Sequence, residues 1–246
     1  MKIRNAVLLA ILVVYLIAST SYLIHFQLKS PRQKIVVGRV IDGDTFVTNE
    51  GVTIRLLNIN TPEKGESGSE EAKSFLKQFE NKTVEIELLK EDKYHRTLAR
   101  IYGPEYINLE IVEKGLAKKF LVDNSELSAF SKAESSAVSQ NKGMWSKSSY
   151  FSCISVKVNP QEESASIRNK CTKIDITGWK VKDESRKEYK FEHFSLGGVN
   201  LHSKEGVDNA TDLFWGNKDN IWNNDRDTLY LLDSEGKIVS YYPYGY

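Results

Sequence analysis

At Ser146 the pattern of this 246-residue chain changes from mixed to purely strand-like, and that change limits what the chain can fold into. Before it, short alternating runs are broken by segments with apolar residues every three or four positions. After it no helical spacing appears. "SCISVKVN", "KIDITGWKV", "EYKFEHF", "TLYLLD" and "KIVSYYPY" are short strands between turns such as Asp233–Gly236. Regular strand spacing, with Trp179, Trp215 and Trp222 among the runs, predicts an all-β sandwich. The expected division is an N-terminal segment, 1–30, then a domain at 31–148 and a second at 149–246.

In the first domain, "KIVVGRVI", "DTFVTN", "VTIRLLNI", "TVEIELL" and "TLARIY" read as five strands. Helices interrupt them. In "SGSEEAKSFLKQFENK", Ser67 and Glu70 suit a capping box, and Ala72, Phe75, Leu76 and Phe79 share one face. "NLEIVEKG" predicts a short helix capped by Asn108 and stopped by Gly115. A third helix starts near Ser125, with Leu127, Phe130 and Ala133 on one side. This is an α+β domain, and a five-stranded Greek-key barrel of the oligonucleotide-binding kind (OB-fold) fits the count, as other small barrels do.

The N-terminal segment has a different character. Ala6 to Ile24 is an uncharged run of nineteen residues, long enough to span a bilayer. Lys2 and Arg4 precede it, and "IASTS" offers a cleavage site, so a membrane anchor and a removed signal are both open. Either puts the rest of the chain outside the cytoplasm. An oxidising compartment would let Cys153 and Cys171 close a disulfide; two separate buried thiols are the alternative. Lys and Arg number 17 against 18 Asp and Glu over 31–146, and 14 against 15 over 147–246. Neither half coats nucleic acid by charge alone, so any phosphate binding must be local.

Three clusters carry the chemistry: "VIDGDTF", "IRLLNINTPE" and "DKYHRTLARIY". Asp42-Gly43 suits a hairpin turn, yet the clusters together hold what phosphodiester hydrolysis requires. Acidic oxygens suit a hard divalent cation, Ca²⁺ or Mg²⁺. Arg55 and Arg96 are planar forks that match phosphate oxygens. Glu63 follows Pro62, which restrains the chain there. Arg55 and Asn60 would face opposite ways on a regular strand, so the chain must bend near "NINTPE" for them to meet.

In this order the clusters resemble the staphylococcal (micrococcal) nuclease family. The similarity runs from about Lys34 to Ser146 and includes "GLAK" at Gly115–Lys118 and the closing "MWS". It implies an oligonucleotide-binding barrel with three helices that cleaves DNA and RNA with Ca²⁺, leaving 3′-phosphates. By position, the resemblance implies that Asp44 is the principal calcium ligand and that Thr61 ligates through its carbonyl, with Asp42 just behind. It gives Glu63 the attacking water, Arg55 and Arg96 the phosphate, and Lys93 and Tyr94 the nucleotide. There are two departures. Asn60 stands where the family has a second aspartate ligand, which an amide oxygen could replace with one charge fewer. "FLVD" at Phe120–Asp123 stands where tyrosines often stack the terminal nucleotide.

"IDITGWKVKDE" and the run from Ala210 to Val239, with "WNND" and "DTLYLLD", resemble the lamin-tail domain family, an immunoglobulin-like sandwich. That resemblance implies a binding or tethering module whose ligand is unknown. Asp208, Asp212, Asp219, Asp225 and Asp227 suggest either a second calcium site or an acidic loop. The expectation is thus a monomeric Ca²⁺-dependent nuclease acting on DNA or RNA outside the cytoplasm, secreted or membrane-anchored. A barrel that binds nucleic acid without cutting it, and a surface-interaction protein, are the rivals.

Overall fold

Alternation of apolar side chains closes the first five long strands into a barrel. The computed structural model describes residues 11–15, 32–192 and 195–246. Strands β1 (Gln33–Val40), β2 (Thr45–Thr48), β3 (Thr53–Leu56), β5 (Thr83–Glu91) and β6 (Thr97–Tyr102) pair in the order β1-β2-β3-β6-β5, and β1 returns to β5. All neighbours are antiparallel except β3 and β6. Val37, Phe46, Ile54, Leu56, Ile86 and Ile101 fill the interior. A short pair, β4 (Ile59–Asn60) and β7 (Lys118–Lys119), lies beside the barrel mouth. The expected N-terminal span, Ala6–Ile24, lies outside the described residues except for a helical piece at 11–15. Among the described residues no helix is long and apolar enough to cross a membrane.

Helix α1 (Ser69–Lys77) buries Ala72, Phe75 and Leu76 as its periodicity predicts. The capping box does not form. The chain enters through turns at Glu63–Glu66 and Glu66–Ser69, and Gly68 is the cap residue, in the left-handed region at φ 87°. In α2 (Ile107–Glu113) the cap residue is Tyr106, not Asn108. Asn108 is instead fully buried. Its Nδ2 donates to Leu57 O (2.9 Å) and Ala99 O (3.1 Å), and its Oδ1 accepts from Ile101 N (2.9 Å). A buried amide used this way fixes a helix onto two strands, a role its place beside the helix start disguised. Gly115 does stop α2, at φ 71°, where a Cβ would come within 2.3 Å of Lys142 O. Helix α3 (Asn124–Ser139) then packs on α2.

The remainder is a sandwich. Its strands are β8 (Ile154–Asn159), β9 (Ser164–Asn169), β10 (Ile174–Asp175), β11 (Lys180–Lys182), β12 (Glu188–Lys190), β13 (Ser195–Leu196), β14 (Gly198–His202), β15 (Asp212–Phe214), β16 (Asp227–Leu232) and β17 (Ile238–Tyr244). Two four-stranded sheets, β12-β11-β16-β17 and β15-β14-β9-β8, enclose Trp179, Trp222, Leu229 and Leu231. Cys153 and Cys171 are joined by a disulfide. The five aspartates do not gather around a cation: Asp208 accepts from Phe214 N, Asp212 from Asn200, and Asp227 from Asn223, Thr228 and Glu184. Among the described residues no group of three His, Cys, Asp or Glu side chains is placed to hold a metal ion.

The unbroken apolar run in β16 has a reason. Leu229 and Leu231 face the sandwich core, while Tyr230 turns the other way into a third cluster with Ala137, Val138, Trp145 and Ile238. A strand buried on both faces loses its alternation. That cluster joins the end of α3 to the sandwich, and Trp145 is its largest member. Trp145→Ala is expected to cost about 3–5 kcal/mol and to split one calorimetric unfolding transition into two, one per core.

Candidate active site

The site begins at the bend between β1 and β2. Asp44 N donates to Asp42 Oδ1 (3.0 Å), and Leu56 N donates to Asp44 O (2.8 Å). Gly43 is required by close packing: a Cβ there would lie 2.6 Å from Ala72 Cβ and 2.8 Å from Thr61 Cγ2. The bend turns Asp44 into the protein, where it is 2% exposed. Its Oδ1 accepts from Thr45 Oγ1 (3.0 Å). Its Oδ2 accepts from Thr61 N and Oγ1 (both 3.0 Å) and from Arg186 Nη2 (3.2 Å), and it forms an ion pair with Arg55 Nη2 at 3.1 Å. Burial pushes the pKa of Asp44 up, but Arg55, the Thr61 amide and Arg186 outweigh it and hold the carboxyl below its ordinary 3.8. Asp42 is shifted upward by burial and by the neighbouring Asp44 charge.

Arg55 is buried as well. Its Nη1 donates to Leu56 O (2.5 Å), and its Nη2 donates to Ile59 O (2.7 Å) and Asn60 Oδ1 (2.5 Å). The chain bends at Leu57–Asn58, with Asn58 at φ 68°, so that Asn60 returns to the Arg55 side. Arg55 therefore staples this bend as well as neutralising Asp44. The Asn60 amide is engaged at both ends, since its Nδ2 donates to Glu184 O (2.9 Å). Glu63 is over half exposed and pairs with Arg186.

Arg96 stands on the β5–β6 hairpin. Its Nε and Nη2 bind Asp92 Oδ2 (2.9 and 2.7 Å), and its guanidinium lies 5.3 Å from the Tyr94 ring centre. Lys93 Nζ is 5.0 Å from the same ring. His95, at φ 60°, points to Glu91 in solvent. A cleft of about 540 Å³ brings together Arg55, Asn60, Lys93, Tyr94 and Arg96, with Phe120 and Leu121 on its rim. Asp44, Thr61 and Glu63 are joined to it through Arg186. Sequence reasoning did not single out Arg186 or Ser185, which line the same cleft from the β11–β12 turn. Nothing in "DESRK" marks which residue of a charged turn will meet a site more than a hundred positions away.

The donor set does not fit a divalent cation in this arrangement. An oxygen with two lone pairs already receives three hydrogen bonds at Asp44 Oδ2, with the Arg55 guanidinium paired to it at 3.1 Å. Thr61 O accepts from Arg186 Nη2 (3.2 Å), and Asn60 Oδ1 is taken by Arg55.

Residues 53–147 match the family of staphylococcal nuclease homologues, and residues 157–246 match the lamin tail domain. The first match starts at Thr53, so Asp42 and Asp44 precede it. Over 116 residues the chain is 31% identical to an uncharacterized endonuclease of Escherichia coli O157:H7, an alignment covering 45% of this chain and 75% of that protein. An uncharacterized endonuclease of Haemophilus influenzae is 31% identical over 118 residues, which are 44% of this chain and 64% of its own length.

Next to the site lies a cavity of about 200 Å³ bounded by Thr61, Glu66, Lys118, Lys182 and Tyr230. Burial, with Lys182 nearby, pushes the Lys118 pKa down from 10.5 to about 8. Below about 8 the folded protein carries a buried ammonium, and this penalty fades as pH rises toward 10.5. Lys118→Met is therefore expected to be more stable than wild type near neutral pH, by about 3 kcal/mol. The advantage should shrink as pH rises through that window, as urea unfolding across the range would measure.

Proposed function

Because the chain is a nuclease of the staphylococcal nuclease homologue family, we propose that it hydrolyses phosphodiester bonds of DNA or RNA in the cleft at the mouth of its barrel. The observation that carries this is the convergence of Arg55, Lys93, Tyr94 and Arg96 on one open cleft, with Glu63 tied to it through Arg186. Lys93 and Arg96 give the phosphate backbone a local basic patch on a chain with near-zero net charge, and the exposed Tyr94 ring offers a face on which a base can stack. Water attacks phosphorus and gives its proton to the Glu63 carboxylate. The bond from phosphorus to the departing sugar oxygen breaks, and that oxygen takes a proton from solvent. Charge growing on the non-bridging oxygens faces the arginines, where fixed guanidinium groups in a partly dry cleft act most strongly.

The remaining parts of the reading rest on separate supports. The Cys153–Cys171 disulfide favours work outside the cytoplasm, with Ala6–Ile24 as anchor or signal. Residues 31–148 would carry the chemistry as a monomer, and 149–246 would bind or tether. Calcium, implied by the family resemblance, finds no open ligand set while Arg186 is docked, and no step above passes through it.

The Arg96 side chain pairs with Asp92 and lies over the Tyr94 ring, both on its own hairpin, so its removal should leave folding intact. Arg96→Ala is expected to lower kcat on single-stranded DNA by at least about 100-fold at unchanged melting temperature. Wild-type turnover by Arg96→Ala would remove Arg96 from the catalytic set, whereas no cleavage by either protein would move the barrel into the non-cutting class.

A further inference from the structure

We propose that the guanidinium of Arg186, delivered by the β11–β12 turn of the sandwich, is the resident cation of the active site and stands where a divalent metal would sit. The proposal rests on the nuclease reading above. Its first support is position. Arg186 Nη2 lies 3.2 Å from Asp44 Oδ2 and 3.2 Å from Thr61 O, and Nη1 pairs with Glu63. These are the carboxylate, the carbonyl and the water-handling acid that the sequence resemblance arranged around calcium.

Asn60 supplies the second support. An aspartate there would place a carboxylate against the carbonyl of Glu184, where the Asn60 Nδ2 now donates at 2.9 Å. The amide thus serves the docking of the turn that carries Arg186. Charge gives the third. Two carboxylates and a divalent ion sum to zero, and so do Asp44, a neutral Asn60 and one guanidinium. The missing negative charge and the added arginine are a matched pair.

The turn is also built to hold this pose. Arg186 sits in the left-handed region at φ 77°, which a non-glycine residue adopts only when its surroundings impose it. Asp183 fastens both sides of the tip, accepting from Ser185 Oγ (2.5 Å) and Lys187 N (2.8 Å). Glu184 accepts from Thr228 Oγ1 (2.6 Å) and Tyr246 OH (2.5 Å), and Lys119 Nζ is 3.7 Å away. The cleft stays open with the arginine in place, because Arg186 and Ser185 line its wall beside Arg55 and Arg96. A phosphate entering there meets a third guanidinium rather than a plug.

Calcium titration followed by calorimetry and by competition with terbium luminescence reads the cation's place independently of activity. Wild-type full-length protein is expected to bind no calcium at millimolar concentration, while Arg186→Gln combined with Asn60→Asp should bind it. Cleavage of single-stranded DNA is measured in parallel with chelator and with calcium. The wild type is expected to cut equally in both. Arg186→Gln should lose at least about 100-fold, and Arg186→Lys, which keeps the charge without the fork, should retain part of the rate. Circular dichroism confirms that each variant is folded. Wild-type cleavage that vanishes in chelator and returns with calcium would overturn the proposal, as would a faster Arg186→Gln, the behaviour of a plug. Absence of cleavage by every protein under every condition would instead overturn the nuclease reading, and the calcium titration would still decide what occupies the site.

Discussion

A carboxylate held away from water must be matched by positive charge or it will not ionise, and the mouth of this barrel is organised around that requirement at Asp44. Desolvating an isolated carboxylate costs several kcal/mol even after relaxation. Asp44 is nonetheless held below its ordinary pKa, which takes Arg55, Arg186 and the Thr61 amide acting together. Arg55 is itself buried, so its remaining donors must be satisfied, and Leu56 O, Ile59 O and Asn60 Oδ1 do this. The bend that carries Thr61 and Glu63 toward the cleft is thereby fixed by the same guanidinium that neutralises the acid. Charge matching and backbone shape are one constraint here.

The second cation comes from the sandwich, and this makes the contact between the two folds part of the site. Lys119 and Glu134 form a buried pair at 2.7 Å, and Glu134 also accepts from Lys119 N. Glu184 and Tyr246 complete the group from the sandwich side. Buried ionic groups contribute little net stability compared with apolar packing, but breaking one leaves an unpaired charge and is costly. The apolar cluster of Trp145, Tyr230 and Ile238 supplies the adhesion. The polar group selects the orientation in which the 183–187 turn meets Asn60. One force holds the two folds together, and the other sets their register.

Much of the fold was legible from the chain alone, because strands with a buried and a solvent face announce themselves by alternation. The five barrel strands, the buried face of α1 and the end of α2 at Gly115 follow from period and turn chemistry. What failed was whatever depends on where the chain enters an element. Ser67 and Glu70 have capping-box spacing, yet the preceding turns place Gly68 at the cap. Asn108 looks like a cap and is a three-bond clamp between strands. Within the site, Arg55, Asn60, Lys93, Tyr94 and Arg96 could be gathered into one list from ordered motifs. Arg186 could not, since its partners lie 125 and 142 positions earlier and its own neighbourhood reads as a solvated turn.

An arginine in the place of a metal changes the division of labour in the site. A guanidinium neutralises charge and offers hydrogen bonds in a fixed plane, but it does not acidify a bound water as a divalent ion does. In the proposed reaction water activation then falls to Glu63, the carboxylate with which Arg186 is paired. The pairing holds Glu63 beside the guanidinium groups of the cleft while leaving it more than half exposed, as the proposed base needs to be. A metal-bound site relies on an acidified nucleophile. Under the arginine proposal this one relies on three guanidinium groups set around a single cleft, with the third held there by packing between two folds.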